Sequence, residues 1–362
     1  MKETLAVIGI RGFPEIQGGV ESHCMRLIPK LGIKCRVYRR KPYVAQPEAR
    51  KPHDFSDITF VDLPSTKIKG VEALLHTLLC ALHLMFHPVR TVNVHNIGPG
   101  LFAPLLRLAG MNVVLTYHSA NYLQKSKWGP MSRALLRICE RVALKFANRV
   151  IFVNPAMMNA FGQRIRQKSV AIPNAIDMMR PTDATDEITR WGLVGKKYIL
   201  GVGRISPEKG FDLLIEASEL IPEEYTIVIA GGCDNGNDYA NRLKSMASGR
   251  RIIFTGYATG ETLRQLYSHA SLFALPSRNE GLSIALLEAM SYGLDIVAGD
   301  IPQNRLPELS DDNFFRSGSA SDLARKINEK LSSGIKRRDY DLSAYDAERM
   351  VEATRRVYSS LQ

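Results

Sequence analysis

Between Ala270 and Gly299 the chain reads ASLFALPSRNEGLSIALLEAMSYGLDIVAG, and few folds accommodate that order. Ala270 to Leu275 is an apolar run of strand length, Ser277 to Gly281 is polar and ends on Gly, and Ser283 to Tyr292 is apolar almost all round. A helix without a polar face is a buried helix. A second apolar strand follows at Asp295 to Ala298. Strand, loop, buried helix and strand make one turn of a parallel α/β sheet, because parallel neighbours need a crossover connection.

Two carboxylates punctuate this stretch, Glu280 in the loop and Glu288 inside the helix. A helix starting near Ser283 leaves its first amides, around Leu282, Ser283 and Ile284, without intrahelical partners. With Gly281 before them, they offer an anion and hydroxyl site. Glu280 flanks that site, whereas Glu288 reaches it only from another side. A carboxylate suits ribose or sugar hydroxyls because it accepts two hydroxyl protons at once. The plainer reading is a helix that happens to contain a Glu. The rest of the helix is apolar, however, so Glu288 is expected to be partly buried, and a buried carboxylate needs partners.

The pattern E-G-L-S-I-A-L-L-E-A-M, with Glu280 and Glu288 at its ends, resembles the E-x7-E signature of retaining glycosyltransferases of the GT-B fold, family 4, of the bacterial surface-polysaccharide class. The resemblance is close over the last 190 residues or so and looser before them. It implies two Rossmann-like α/β domains facing each other across a cleft: an acceptor-side domain at 1–175, a sugar-nucleotide donor domain at 176–342, and a helix at 343–362 returning to the first domain.

Length and composition agree with this expectation. The 362 residues suit two domains, and 45% hydrophobic with 23% charged residues is ordinary globular usage. The five cysteines, Cys24, Cys35, Cys80, Cys139 and Cys233, contain no CxxC pair, and no His follows ligand-like spacing. Neither a zinc nor a disulfide framework is expected, and a reducing cytoplasm is the simpler location. No signal peptide and no apolar run of about 18 residues is visible.

Charge is uneven. The first 180 residues hold 26 Lys and Arg against 10 Asp and Glu, while the remainder is mildly acidic. No nucleic-acid recognition motif accompanies this basic half. An anionic membrane surface is the favoured partner, because Lys67 and Lys69 precede one amphipathic stretch and Lys125, Lys127, Trp128, Arg133, Arg137, Arg141 and Lys145 run along another. That these helices simply pack on a sheet with solvated cations outside remains open. The expected location is the inner face of the cytoplasmic membrane, as a peripheral protein.

The first half alternates strand and helix, with strands at Leu5–Ile10, Cys35–Tyr38, Ile58–Leu63, Thr91–His95, Asn112–Tyr117 and Arg149–Val153. After the first strand, Gly18 and Gly19 open a helix carrying Glu21 and His23. The glycines are not spaced as G-x-G-x-x-G, so nicotinamide cofactors lose support. In the resembled family a Gly-Gly loop here abuts the donor diphosphate, and Gly18 and Gly19 match it. His95 and Asn96 end the fourth strand, facing either a cleft or the core. His118 follows the fifth strand, and the resemblance gives it a contact with the donor sugar.

In the second half, strand Tyr198–Val202 leads into Gly203-Arg204-Ile205-Ser206-Pro207-Glu208-Lys209-Gly210. Two cations five residues apart can converge on one pyrophosphate, Arg204 as a fork and Lys209 as a point charge. The R-x4-K loop of the resembled family makes that assignment specific. Strands at Tyr225–Ala230 and Arg251–Phe254 follow, and Tyr257 beyond the second is the candidate for base recognition. After Gly299 the chain reads as loop and helix, ending in a helix over Ala344–Leu361. Three positions depart from the family pattern: Ala175, where Gly is usual, Asn279, where aromatic residues are frequent, and Asp295, where Pro is usual.

No metal ion and no cofactor beyond the donor substrate is expected. The only D-x-D triplet, Asp339-Tyr340-Asp341, lies in a polar segment remote from every phosphate candidate. The resemblance implies a retaining, metal-independent hexosyltransferase with catalytic residues His118, Glu280, Arg204 and Lys209. Its donor contacts would be Gly18, Gly19, Arg204, Lys209, Tyr257, Gly281, Leu282, Ser283 and Glu288. The expected partners are a nucleoside diphosphate sugar and a glycan or lipid-linked saccharide acceptor for cell-surface glycan synthesis. A same-face mechanism, with closure about the Pro173–Pro181 linker, is the family default. A sugar-nucleotide epimerase of the same fold and a non-catalytic sugar-nucleotide-binding protein are the alternatives.

Overall fold

The computed structural model describes residues 5–14, 16, 18–44, 55–68, 70–123, 128–233 and 238–361. Lys69, Lys125 and Lys127, named above as candidate membrane cations, lie outside these residues. The chain divides into two units, Met1–Ala175 with Tyr345–Gln362, and Ile176–Ala344.

The first unit is built on seven parallel strands: β1 Leu5–Ile8, β2 Cys35–Arg40, β3 Ile58–Leu63, β4 Thr91–His95, β5 Asn112–Tyr117, β6 Arg149–Phe152 and β7 Ser169–Ala171. Their order is β3-β2-β1-β4-β5-β6-β7. β7 has no counterpart in the sequence reading, because three residues, SVA, carry too little pattern to register as a strand. The final helix, Ala347–Ser359, is shorter than the expected Ala344–Leu361 and packs into this unit's core through Met350, Val351, Val357 and Tyr358. Polar contacts fix it: Asn93 donates to the Tyr358 hydroxyl at 2.7 Å, and Arg355 Nε donates to the Leu31 carbonyl at 2.8 Å. Asp346 caps its first turn by accepting from the amides of Glu348 and Arg349.

The second unit holds six parallel strands: β8 Lys197–Val202, β9 Tyr225–Ala230, β10 Ile252–Gly256, β11 Leu272–Leu275, β12 Ile296–Gly299 and β13 Phe314–Phe315. The order is β10-β9-β8-β11-β12-β13. The chain after Gly299 is therefore not only loop and helix: Ala298 and Gly299 pair with Phe314 and Phe315 to add an edge strand. Two residues are too few for alternation to show in the sequence. The buried helix runs Ile284–Ser291 with Ser283 at its N-cap, and Leu286, Leu287, Glu288, Ala289 and Met290 are all buried.

Asp295, the departure from the family pattern before β12, has a structural account. It is 4% exposed, and its carboxylate meets Lys330 Nζ at 3.1 Å and Arg338 Nη2 at 3.3 Å while accepting from the Ile296 amide. Lys330 is itself buried on the helix Ala320–Ser332, so Asp295 supplies the countercharge that a buried ammonium requires.

Both sheets reverse direction of growth at one point, between β1 and β4 in the first and between β8 and β11 in the second. In open α/β sheets a crevice for ligands opens at such a switch point, outside the carboxyl ends of the strands.

Candidate functional site

In the second unit, the loops flanking the switch point are Gly203–Gly210 after β8 and Pro276–Gly281 after β11. Close backbone packing joins them. Gly210 has φ 67°, and a Cβ there would lie 2.2 Å from the Pro276 carbonyl oxygen, so this turn accepts no side chain. The Arg278 amide donates to the Glu208 carbonyl at 2.8 Å, and the Arg278 guanidinium holds Asp212 with bonds of 2.8 and 2.7 Å.

This clamp brings two of the sequence candidates together. Lys209 Nζ donates to Glu280 Oε1 at 2.7 Å, and Ser277 Oγ donates to the same oxygen at 2.6 Å. Glu280 is 9% exposed and the Lys209 side chain 19%. The carboxylate expected to hold sugar hydroxyls thus holds the cation expected to hold phosphate, and a ligand would meet them as one polar pair. Arg204 stands on the same loop as Lys209, its Nη2 3.5 Å from Glu208 Oε1, with about a third of its side chain open to solvent. Gly281, Leu282 and Ser283 lead into the buried helix. Ser283 Oγ is buried and makes no hydrogen bond, so the helix start has no side-chain cap.

Glu288 finds the partner its burial requires. Its Oε2 accepts from the Tyr267 hydroxyl at 3.3 Å, and Tyr267 stacks on Tyr292 with centroids 5.1 Å apart. Tyr257 is 53% exposed and follows β10, two strand positions or about 10 Å from β8. Asp339 and Asp341 of the D-x-D triplet are exposed.

In the first unit, the switch point carries Gly18 and Gly19, which open the helix Gly19–Leu27. Space above Gly19 is open, whereas a Cβ on Gly18 would press on Glu21. Glu21 Oε1 accepts from the Arg11 amide at 3.0 Å and so ties the helix start to the β1 loop.

Three histidines converge beside it. His95 Nδ1 lies 2.9 Å from His118 Nε2, and the His23 ring stands edge-on to both, at 5.9 and 5.1 Å between centroids. Asn96, which follows His95, has φ 73°, a left-handed conformation that Asn tolerates better than most residues. The cluster was not legible in the sequence because its members are 72 and 23 residues apart. The available signal was that β4 and β5 are successive strands ending on His95 and just before His118.

Burial holds all three imidazoles neutral: His23 is lowered to about 4, with Asn174 partly offsetting the burial, and His95 and His118 lie well below the usual range, each also repelled by neighbouring imidazoles. His76, buried against the Arg39 carbonyl, is likewise lowered to about 4. A histidine with a depressed folded pKa stabilises the fold fully above its unfolded value near 6.5. That contribution is lost as pH falls toward 4, because the unfolded chain takes up protons that the folded chain refuses. Denaturant midpoints should therefore fall between pH 6.5 and 4, with each of His23 and His76 contributing about 1.4 kcal/mol per pH unit. A flat midpoint over that interval would contradict their neutral burial.

Comparison with known proteins gives this geometry its setting. Residues 17–180 match the family described as Glycosyltransferase Family 4, and residues 184–347 match Glycosyl transferases group 1. The chain is similar to the sulfoquinovosyl transferase SQD2 of Arabidopsis thaliana, 33% identical over 142 residues, or 38% of this chain and 27% of that protein. It is also similar to the alpha-D-kanosaminyltransferase of Streptomyces kanamyceticus, 27% identical over 64% of this chain and 65% of that one. The chain thus spans less than two thirds of the length of these relatives. Among solved structures, HepE of Anabaena in complex with UDP-glucose superposes with a TM-score of 0.78 at 17% identity, over 99% of this chain and 100% of that one, a likeness of fold. The two family models together take in almost the whole length, and with both parallel sheets in place the chain matches two glycosyltransferase domains on a GT-B fold.

Proposed function

We propose that this protein transfers a glycosyl unit from a nucleoside diphosphate sugar to an acceptor hydroxyl, with retention at the anomeric carbon. The observation that carries the reading is the Lys209–Glu280–Ser277 contact at the switch point of the second sheet, with Arg204 on the same loop. Arg204 and Lys209 neutralise the diphosphate, Glu280 releases Lys209 to it and turns to the sugar hydroxyls, and Glu288 binds the ribose. Tyr257 stacks on or borders the base. No far-face nucleophile is assigned, so the departing phosphate takes the acceptor proton on the same face. His118 serves the sugar, and Gly18 and Gly19 let backbone approach the donor. Stabilising the leaving group and positioning the acceptor then supply the rate. No metal is required, because two cations and helix amides carry the phosphate charge.

Glu288→Ala should weaken nucleotide-sugar affinity by about 1.5 to 3 kcal/mol, the range for a hydrogen bond to a charged group. Calorimetry that returns wild-type affinity would remove Glu288 from the ribose site.

The acceptor is proposed to be a lipid-linked or polysaccharide glycan at the inner face of the cytoplasmic membrane. Support comes from the helix Pro130–Phe146, whose solvent side exposes Met131, Leu135 and Ile138 next to the cations Arg137, Arg141 and Lys145. An apolar stripe beside a cationic stripe suits an anionic lipid surface. Binding to anionic vesicles should rise with anionic content, fall with salt, and weaken by about 1 kcal/mol for each of Arg137, Arg141 and Lys145 neutralised. Vesicle binding indifferent to charge and salt would assign the basic surface to an anionic saccharide instead.

The activity itself is tested by incubating the protein with labelled sugar nucleotides, with and without membrane extract, in excess chelator. Label should move to an acceptor only when extract is present. An altered sugar released without acceptor would favour the epimerase.

A further inference from the structure

We propose that His23, His95 and His118 form a binding site for one late first-row divalent ion, of the Zn2+, Co2+, Ni2+ or Cu2+ class. Each histidine offers one ring nitrogen, and the three nitrogens lie within 4.8 Å of one another. All three side chains are buried, at 2%, 0% and 7% exposure. A metal held by imidazoles at about 2.0–2.1 Å sets its ligand nitrogens about 3.4 Å apart in a tetrahedral shell. The existing His95–His118 separation of 2.9 Å needs only a small opening, and His23 needs to swing inward.

A second observation points the same way. His23 Nδ1 is buried without a hydrogen-bond partner, although Asn174 bonds to the ring and partly offsets its burial. Coordination, or a proton shared through a bound ligand, would satisfy it. Imidazole nitrogens without a carboxylate among them select zinc, nickel, cobalt or copper over magnesium and calcium. Cys24 Sγ lies 3.7 Å from His95 Nε2, and the fourth position is assigned to water or an exogenous ligand.

One consequence rests on the function proposed above, while the site itself does not. An ion on His118 Nε2 replaces the contact with His95 and re-orients the ring, moving the Nδ1 offered to the sugar, so an occupied site is an inhibited enzyme.

The test begins with metal-free protein carrying Cys233→Ser, which removes the one exposed thiol among the described residues. Titration with Co2+ should develop visible absorbance that saturates at one ion per chain. His23→Gln should lower the affinity at least about 100-fold, since loss even of an outer partner costs 10- to 100-fold. No saturable absorbance, or the same affinity in His23→Gln, overturns the site. Should that variant fail to fold, X-ray absorption on the zinc-loaded Cys233→Ser protein decides: three imidazole nitrogens at about 2.0–2.1 Å support the site, and fewer than three, or sulfur in the shell, overturn it. Transfer measured in parallel should fall with bound Co2+ and return on chelation. Transfer unaffected by saturating Co2+ overturns the inhibition. Absence of transfer from metal-free protein, with the Co2+ absorbance intact, counts against the proposed function and leaves the metal site standing.

Discussion

Lys209→Ala should lower kcat/KM by about 10² to 10³-fold, the loss seen when one preorganised charge stabiliser is taken from a transition state. The size follows from position. Lys209 sits on the loop after β8, at the switch point, and is held 2.7 Å from Glu280 by a carboxylate that is itself fixed by Ser277. Removing the ammonium takes away a phosphate cation and leaves Glu280 nearly buried with only the Ser277 hydroxyl among these contacts, so donor affinity and stability should both drop. Lys209→Arg keeps the charge on a longer, planar head group and should recover part of the activity. If Lys209→Ala were to turn over donor as the wild type does, the pair would be a structural tie between two loops and the phosphate would bind elsewhere.

For His118→Ala the expected result is a fall in kcat of about 10²-fold with little change in donor affinity, because its proposed partner is the sugar and not the nucleotide. The structure sharpens this expectation. His118 is neutral and bonded through Nε2 to His95, which leaves Nδ1 as the group for a sugar hydroxyl. In a core role it would instead serve only the packing of His23 and His95, and the variant would lose stability while kcat stayed near wild type. Measuring kcat, KM and the denaturant midpoint on one preparation separates the two.

The parts of the fold that were legible in the sequence are those where local pattern and tertiary role coincide. Ile58–Leu63, Thr91–His95, Asn112–Tyr117 and Tyr225–Ala230 have the same bounds in the sequence reading and in the structure, because each is rich in β-branched and apolar residues and is closed by Pro, Gly or a polar residue. β7 and β13 escaped because edge strands of three and two residues take their conformation from the neighbour they pair with, not from their own pattern. In the site, the loop cations and carboxylates could be named one by one. Their pairing could not, since the contact between Lys209 and Glu280 spans 71 residues and depends on the packing of Gly210 against Pro276. Asp295 shows the converse: as a departure from a family pattern it had no meaning until Lys330 and Arg338 were seen to converge on it.

The central claim is that the loops after β8 and β11 hold a nucleoside diphosphate, and calorimetric titration tests it most directly. Uridine, guanosine and thymidine diphosphates would each be titrated against the corresponding monophosphate, in chelator. With two cations five residues apart on one loop, at least one diphosphate should bind about tenfold or more tightly than its monophosphate, and Arg204→Ala should erase most of that difference. Equal affinity for mono- and diphosphate, or a difference that survives Arg204→Ala, would contradict the account.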